Sequence, residues 1–309
     1  MLKVDFIGTG GAVPSIKRAM PAIALHWDKL FLWDCGEGTQ REMMRRGVGY
    51  GGVEAIFITH LHLDHFMGVF GLIETIRMNT QRERLEVFAP RGLAGMIGAM
   101  SPSFTRKPDF IKFEEMREDE LYRGKDYSIS AFRVEHGKEA YGLVFQEDDK
   151  VKFNEKEAKG RGLKGRMFRE MQEKGEVEVG GKKIKLEEVG WIRKGIKAVY
   201  SGDTMPSERV VLAARGADLL IHDGTFGEGT GDEAEGRMHT TAADAARIAK
   251  RAGVKKLVLT HISCRYPDGK ELLEEARAIF KNTELAKDGM SLEVKPGKED
   301  PQETTPAKG

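Results

Sequence analysis

The sequence predicts an α/β fold in which two β-sheets are sandwiched between helices, an αββα arrangement. Three observations support this prediction: short apolar runs rich in β-branched and aromatic residues, helical patterns between the later runs, and His or Asp side chains where several runs end. The early runs follow one another as a meander, and the later ones alternate with helices. With 309 residues, of which 40% are hydrophobic, the chain is long enough to bury such a core.

Each predicted element follows from its local pattern. Short apolar runs that end in a glycine or a polar turn favour strands at residues 2–7, 23–25, 30–33, 55–58, 85–88, 127–134, 142–145, 198–200, 219–221, 256–259 and 291–294. Longer segments with apolar residues at helical spacing favour helices at residues 66–78, 91–99, 207–215, 241–252 and 269–280. The sequence shows no internal repeat of the solenoid kind.

The densest chemical signal follows the predicted strand at 55–58. Within six residues the chain places His60, His62, Asp64 and His65, although histidine makes up only 8 of the 309 residues. The alternating His60 and His62 can point at one ion, while Asp64 and His65 diverge toward a second. Imidazole nitrogen combined with carboxylate oxygen suits zinc or a similar borderline ion. The segment therefore predicts a metal site rather than three surface histidines.

Further candidate ligands stand directly after other predicted strands. His136 follows the strand at 127–134, Asp203 follows the one at 198–200, and His261 follows the one at 256–259. Taken alone, each would more often be structural. Side chains at the carboxyl ends of strands can converge on one edge of a sheet, so together with the cluster they predict a site for two metal ions. Asp203 is the natural bridge, because one carboxylate can offer an oxygen to each ion.

One segment differs in composition from the rest. Residues 151–197 contain ten Lys and four Arg against eight Glu, a net charge of +6. Its most basic part has no acidic residue and carries Lys159, Arg161, Lys164, Arg166 and Arg169. We interpret the segment as an inserted arm with a glycine-containing basic tip that can lie along a phosphate backbone. The alternative is a solvated surface hairpin with ordinary Lys–Glu pairs. Residues 296–309 are rich in Pro, Lys and Glu and are predicted to be disordered.

Seven short motifs, in order along residues 1–295, are similar to those of a known family. They are FIGTGGAVP at 6–14, DCGEGTQ at 34–40, the cluster at 59–65 with its continuation to 72, SGDT at 201–204, IHDGTF at 221–226, HTTA at 239–242, and THIS with Arg-Tyr at 260–266. The cluster alone marks only the metallo-β-lactamase superfamily. With the motifs at 221–226 and 239–242 and the basic arm, the chain resembles the ribonuclease Z family, the tRNA 3′-end endonucleases.

The resemblance implies a metallo-β-lactamase sandwich over residues 1–295, carrying the basic arm at 151–197. It also implies a zinc-dependent endoribonuclease that removes the 3′ trailer from precursor tRNA by attack of a metal-activated hydroxide, leaving a 3′-hydroxyl on the tRNA. Each subunit would hold two zinc ions. One would be bound by His60, His62, His136 and Asp203. The other would be bound by Asp64, His65, His261 and the shared Asp203.

The resemblance also implies catalytic roles. Asp64 would hold the nucleophile, and His239 would give a proton to the departing 3′-oxygen, oriented by Asp223 and supported by Thr241. The family usually has Glu at the carboxylate position, so the shorter Asp223 requires that His239 sits closer or that a water bridges them. Asp34 is expected to support the metal loop as a hydrogen-bond acceptor.

The expected partners and the cellular compartment follow partly from the resemblance and partly from the composition of the chain. In the family the arm grips the tRNA elbow, usually from the other subunit of a homodimer. Two cysteines and no long uncharged apolar stretch favour a cytoplasmic protein that does not span a membrane. Abundant Lys, Arg and Glu with few Asn and Gln is typical of thermophile proteins.

Two other functions remain open on the sequence. The same fold and metals could serve a hydrolase that acts on another phosphodiester or on an ester. A non-catalytic RNA-binding protein could use zinc only for structure. The arm discriminates against the first alternative. The variants His239→Ala and Asp64→Ala would separate an enzyme from the second, since a binder would keep its function after both.

Overall fold

The computed structural model describes residues 1–104 and 110–296. The tail predicted to be disordered, 296–309, therefore lies outside the described residues except for its first position. Within the described ranges, no helix is both long enough and apolar enough to cross a membrane.

The described chain contains every strand and helix that the sequence predicts, in the predicted order, together with further elements that it does not predict. The strands are β1 Leu2–Gly8, β2 Ala22–His26, β3 Leu30–Trp33, β4 Val53–Phe57, β5 Leu85–Ala89, β6 Ile111–Glu115, β7 Glu120–Arg123, β8 Tyr127–Arg133, β9 Tyr141–Glu147, β10 Lys150–Phe153, β11 Glu176–Val179, β12 Lys182–Lys185, β13 Gly190–Arg193, β14 Lys197–Tyr200, β15 Leu219–Asp223, β16 Leu257–Thr260, β17 Thr283–Leu285 and β18 Ser291–Val294. The helices are α1 Thr39–Arg45, α2 Leu63–Phe66, α3 Gly68–Asn79, α4 Leu93–Phe104, α5 Glu155–Gly160, α6 Met167–Lys174, α7 Leu186–Val189, α8 Glu208–Ala213, α9 Gly231–Gly236, α10 Ala242–Ala252 and α11 Lys270–Ile279.

Two seven-stranded sheets form the centre of the larger compact unit. The first has the strand order β18-β1-β2-β3-β4-β5-β6, and the second has the order β17-β16-β15-β14-β9-β8-β7. Large side chains from both sheets share one hydrophobic cluster that includes Trp33, Phe57, Tyr127, Phe145 and Tyr200. The rings of Trp33 and Tyr200 stack across it with centroids 6.1 Å apart. The sheets therefore pack face to face, as the αββα prediction requires.

Helices cover the outer face of each sheet. Apolar side chains of α1, α3 and α4 pack with the first sheet in one cluster, and those of α8, α10 and α11 pack with the second in another. Helix α10 shows why the sequence folds this way: its buried face is mostly alanine, so the helix can lie close to the strands. Thr241 caps its start by accepting a hydrogen bond from the Asp244 amide, and Gly253 ends it at a φ of 66°. The predicted αββα fold is confirmed.

Residues 147–195 form a separate compact unit. It contains two two-stranded sheets, β10–β13 and β11–β12, and helices α5, α6 and α7. Its own hydrophobic cluster is built from Ala158, Leu163, Met171, Val177, Ile184 and Val189. The predicted basic segment is therefore a small folded unit with a core, and not a simple extended hairpin.

The charges of this unit are more compensated than the sequence suggested. The acid-free stretch still finds acidic partners, because Lys159 pairs with Glu155, Arg169 with Glu173 and Arg161 with Glu188 at 2.5–2.9 Å. Within the described residues, Lys164 and Arg166 have no acidic partner and are exposed. The Lys–Glu pairs of the surface-hairpin alternative are thus present, and two cations of the basic tip have no acidic partner among the described residues. Contact with a phosphate backbone stays a prediction.

Candidate active site

The second sheet brings three predicted site residues to one edge. Asp203 follows β14, Asp223 is the last residue of β15, and His261 follows β16. These three strands are parallel neighbours, with Ile221 opposite both Tyr200 and Val258. Because carboxyl ends of adjacent parallel strands meet at the same edge, the three side chains lie together. His136 joins them from the turn that connects β8 to β9.

The first sheet contributes the rest of the site in the same way. Asp34 follows β3, and His60 follows its parallel neighbour β4. The chain then enters the short helix α2, which carries Asp64 and His65, with His62 just before it. The two sheets thus supply their strand ends to one pocket.

One group of candidate ligands contains His60, His62, His136 and Asp203, whose ligand atoms lie within 4.8 Å of one another. Oδ2 of Asp203 is 3.7 Å from Nε2 of His60 and 3.9 Å from Nε2 of His136. Nδ1 of His62 lies 3.1 Å from Nε2 of His136. His62 is the exposed member, so this group lies at the open side of the pocket.

A second group contains Asp64, His65 and His261. Oδ2 of Asp64 is 3.5 Å from Nε2 of His65 and 3.3 Å from Nε2 of His261. Oδ2 of Asp203 lies 3.3 Å and 3.2 Å from the same two nitrogens. Asp203 therefore borders both groups, and the structure brings all seven predicted ligand residues together.

Several atoms facing this pocket are buried without a partner. Nε2 of His60, Nε2 of His65 and Oδ1 of Asp203 have no hydrogen-bond partner within the described residues. A buried polar atom without a partner is costly, and cations bound at the two groups would satisfy all three. The nitrogen and oxygen donors present suit zinc or a similar ion. The residues therefore fit a metal site.

The far side of each inward-facing imidazole is also held in place. Four histidines direct Nε2 toward the pocket, and each has its Nδ1 within 3.0 Å of a hydrogen-bond partner. The pairs are His60 with Thr59 Oγ1, His65 with Asp34 Oδ2, His136 with the Met238 carbonyl, and His261 with Thr225 Oγ1. Partners of this kind fix the tautomer and the orientation of a metal-binding imidazole.

Asp34 has the supporting position expected of it. Besides Nδ1 of His65, its carboxylate accepts from the amide of Thr59 at 2.8 Å and the hydroxyl of Tyr200 at 3.0 Å. Burial alone would lower the pKa of His65, but the carboxylates of Asp203 and Asp34 raise it well above its usual range. Burial, with the neighbouring His65, holds the pKa of His60 well below its usual range.

The backbone around the pocket is held in uncommon conformations. The described chain has four non-glycine residues with positive φ, namely Ala12 at 40°, Asp34 at 57°, Met238 at 60° and His261 at 58°. All four contact or belong to the site, and the Ala12 amide donates to Oδ2 of Asp64 at 2.9 Å. A Cβ on Gly11 would lie 2.6 Å from the His261 ring, so only glycine lets this loop pass. Such strain is concentrated where a structure holds functional groups in place.

His239 and Asp223 form a direct pair beside the candidate ligands. Nδ1 of His239 lies 2.8 Å from Oδ2 of Asp223, so the shorter side chain reaches the imidazole and no bridging water is needed. Burial would lower the pKa of His239, but the charge and hydrogen bond of Asp223, reinforced by Asp203, raise it to about 9. The pair is therefore charged near neutral pH.

Two neighbouring threonines make contacts that the sequence analysis did not predict. Thr241 was expected to support His239, but its hydroxyl donates to Asp244 at 2.7 Å and caps α10. Thr225, to which the sequence analysis assigned no role, instead contacts Asp223, His239 and His261. The sequence feature that could have identified Thr225 is its place in the 221–226 motif, two residues after Asp223.

Known proteins resemble this chain over nearly its whole length. A family model described as anti-Pycsar protein Apyc1 matches residues 2–158, and one described as a β-lactamase superfamily domain matches residues 162–262. Ribonuclease Z of Archaeoglobus fulgidus is 42% identical over 95% of this chain and 98% of the relative. Ribonuclease Z of Methanosarcina acetivorans is 40% identical with the same coverage.

Solved structures agree with this similarity. The short form of human tRNase Z superimposes with a TM-score of 0.70 at 27% identity, covering 95% of this chain and 99% of that one. The metallo-β-lactamase fold protein YhfI of Bacillus subtilis superimposes with a TM-score of 0.68 at 19% identity, covering 95% and 100%, which shows the shared fold. Because the archaeal relatives span both segments matched by the family models, the chain belongs to the ribonuclease Z family of the β-lactamase superfamily.

Proposed function

We propose that this protein is a metal-dependent endoribonuclease that removes the 3′ trailer from precursor tRNA and leaves a 3′-hydroxyl on the tRNA. The endoribonuclease class predicted from the sequence is confirmed by membership of the ribonuclease Z family. The observation that carries the proposal is the His239–Asp223 pair beside seven converging candidate metal ligands.

The finer part of the proposal concerns the metal. We propose two zinc ions, one bound by His60, His62 and His136 and the other by Asp64, His65 and His261, with Asp203 shared between them. Such ions supply Lewis-acid polarisation of the phosphodiester and a water of lowered pKa. The buried atoms without partners and the short Asp203 distances support this assignment.

Asp64 is suited to orient the attacking water. Its Oδ2 accepts a hydrogen bond from the Ala12 amide at 2.9 Å and lies 3.3 Å from Nε2 of His261. Burial would raise the pKa of Asp64, but the neighbouring imidazoles of His261 and His65 hold it well below its usual range. The carboxylate is therefore ionised and can accept a hydrogen bond from water at neutral pH.

His239 is suited to protonate the leaving group. Asp223 holds Nδ1 and raises the pKa of the imidazole, so the ring carries a proton on Nε2 as well. Giving that proton to the departing 3′-oxygen would leave a 3′-hydroxyl on the tRNA.

Selection of tRNA is proposed to lie in the folded unit at 147–195. Its exposed cations can contact phosphates without reading base sequence, so they would recognise the shape of a folded RNA. The residues proposed for this role are Lys159, Arg161, Lys164, Arg166 and Arg169. We further propose that the enzyme acts as a homodimer in the cytoplasm.

The test uses one end-labelled precursor tRNA and the zinc-loaded protein. We expect a single cut near the 3′ end of the tRNA body, with a 3′-hydroxyl on the tRNA product. The same trailer joined to an unfolded RNA should be cut far more slowly. Failure of the folded, metal-loaded protein to cut any precursor tRNA would contradict the proposal.

A deletion separates this function from that of a small-molecule hydrolase. A variant lacking residues 152–194 should lose precursor-tRNA cleavage but still hydrolyse bis(p-nitrophenyl) phosphate, because all seven candidate ligands lie outside the deleted unit. Unchanged precursor processing by this variant would show that the unit does not bind the substrate.

A further inference from the structure

Thr225 lies between the candidate metal ligands and the His239–Asp223 pair. It is 5% exposed and follows the end of β15 by two residues. Its Oγ1 lies 2.6 Å from Oδ1 of Asp223 and 2.8 Å from Nδ1 of His261. One hydroxyl therefore touches the carboxylate that holds His239 and a histidine proposed to bind metal.

The direction of both hydrogen bonds follows from proton counting. A threonine hydroxyl has one hydrogen to donate, and an ionised carboxylate can only accept. The hydrogen of Thr225 must then go to Asp223, whose carboxylate also accepts hydrogen bonds from the amides of Thr225 at 3.0 Å and Thr240 at 3.4 Å. The oxygen of Thr225 is left to accept, so Nδ1 of His261 must carry the hydrogen between them.

This arrangement settles which nitrogen of His261 can bind a metal. With Nδ1 protonated, the lone pair available for binding is on Nε2, which lies 3.2 Å from Asp203 and 3.3 Å from Asp64. The same hydroxyl occupies Oδ1 of Asp223 and leaves Oδ2 for His239 at 2.8 Å. Of the four partners that hold an inward-facing histidine, Thr225 is the one whose side chain also bonds to Asp223.

We infer that Thr225 is a positioning residue that fixes the His261 tautomer for metal binding and, through Asp223, the orientation of His239. The inference rests on the proposed function, because it assigns a role within that site. A single hydroxyl would then align the metal ligand and the proton donor with each other.

The test compares variants that differ in one group. Thr225→Val keeps the shape and removes the hydroxyl, whereas Thr225→Ser keeps the hydroxyl. Thr283→Val is the matched control, because it removes a buried hydroxyl that donates to the Phe280 carbonyl, away from the candidate ligands. Zinc affinity is measured by competition with a chelator, and all proteins are first checked for folding by circular dichroism.

We expect Thr225→Val to weaken zinc binding about 10- to 100-fold, the usual effect of losing an outer partner of a metal-binding histidine. Thr225→Ser and Thr283→Val should bind like the wild type. In zinc-loaded protein with 15N-labelled histidine, the Nδ1 hydrogen of His261 should give a slowly exchanging NMR signal. That signal should persist in Thr225→Ser and be lost in Thr225→Val.

Three results would overturn the inference. They are wild-type affinity with an unchanged signal in Thr225→Val, equal weakening in Thr225→Ser and Thr283→Val, or wild-type protein whose His261 binds zinc through Nδ1. The nitrogen of His261 that binds zinc is determined in the wild-type protein, so the inference stays testable even if Thr225→Val misfolds. None of these measurements uses RNA, so an enzyme that fails to cut precursor tRNA would contradict the proposed function alone.

Discussion

The pocket and the folded unit at 147–195 hold their charged side chains in opposite ways. In the pocket, Asp203, Asp223 and His65 are almost fully buried, and each contacts several other polar groups at fixed distances. In the unit, most basic side chains are exposed, and three of the ion pairs join residues one helical turn apart. Removing a pocket group leaves buried partners unsatisfied, whereas removing a surface group leaves a partner that water can solvate.

The pocket and the folded unit should therefore differ in how well function tolerates a substitution. Pocket residues act as a connected set, so the loss of one should lower activity strongly. The surface cations act through summed charge, so the loss of one should be graded. Substitutions in the two regions test this difference directly.

The largest effect is expected for Asp203→Ala. This carboxylate lies within 3.9 Å of His60, His65, His136 and His261, so its loss should disrupt both candidate metal groups. We expect precursor-tRNA cleavage to fall to background and bound zinc, measured by elemental analysis, to fall well below that of the wild type. Asp232→Ala is the matched control, because that carboxylate is exposed on α9. Normal zinc content in Asp203→Ala would contradict the shared-ligand assignment.

His239→Ala should separate chemistry from metal binding. His239 pairs with Asp223 and is proposed to protonate the leaving oxygen, so we expect turnover to fall about 10²- to 10⁴-fold, as is usual for loss of a general acid. Zinc content should stay at the wild-type level, because the seven proposed ligands remain. Single-turnover cleavage and elemental analysis of the same sample measure both. Loss of zinc together with activity would make His239 a ligand instead.

The convergence of the candidate ligands could be predicted from the sequence because histidine is rare in this chain and several of these residues closely follow apolar strands. His60, Asp203 and His261 carry that signal in the chain itself. The contributions of Ala12 and Met238 could not be predicted, since both act through backbone atoms that any residue type possesses. Thr225 lay in a recognised motif, but its contacts depend on how β15 and β16 meet.

Polar strands and ion pairs between distant residues are two further features that could not be predicted from the sequence. All eleven predicted strands are present, whereas strands such as β6 and β12 were missed because their side chains are largely polar. The pair between Arg161 and Glu188 joins residues 27 apart in the chain. A local count of charges cannot reveal such a partner, so the basic tip seemed less compensated than it is.

A smaller effect than that of His239→Ala is expected for Asp34→Asn. Asp34 holds Nδ1 of His65 at 2.8 Å, and an amide in its place removes the charge and one acceptor. We expect zinc affinity, measured by chelator competition, to fall about 10- to 100-fold, with cleavage restored at high zinc. Asp268→Asn changes an exposed carboxylate in the same way and should leave affinity unchanged. Equal affinities for all three proteins would show that Asp34 does not support the metal loop.

The smallest effect is expected in the folded unit, where two pairs of cations can be compared. Lys164 and Arg166 are exposed and have no acidic partner within the described residues, whereas Lys159 and Arg169 are paired with Glu155 and Glu173. An unpaired cation can contact a phosphate without first breaking an ion pair. Changing Lys164 and Arg166 together to Gln should therefore weaken precursor-tRNA binding and lower the slope of log Kd against log salt by about two, roughly one per lost phosphate contact.

The matched variant changes Lys159 and Arg169 to Gln, which removes the same formal charge from the same unit. We expect it to lower the salt slope by less, because these cations are already engaged by glutamates on their own helices. Both variants should hydrolyse bis(p-nitrophenyl) phosphate at the wild-type rate. Equal salt slopes for the two variants would show that only the total charge of the unit matters. A lower rate on the small diester would show that the pocket depends on these side chains, so that the two regions do not act separately.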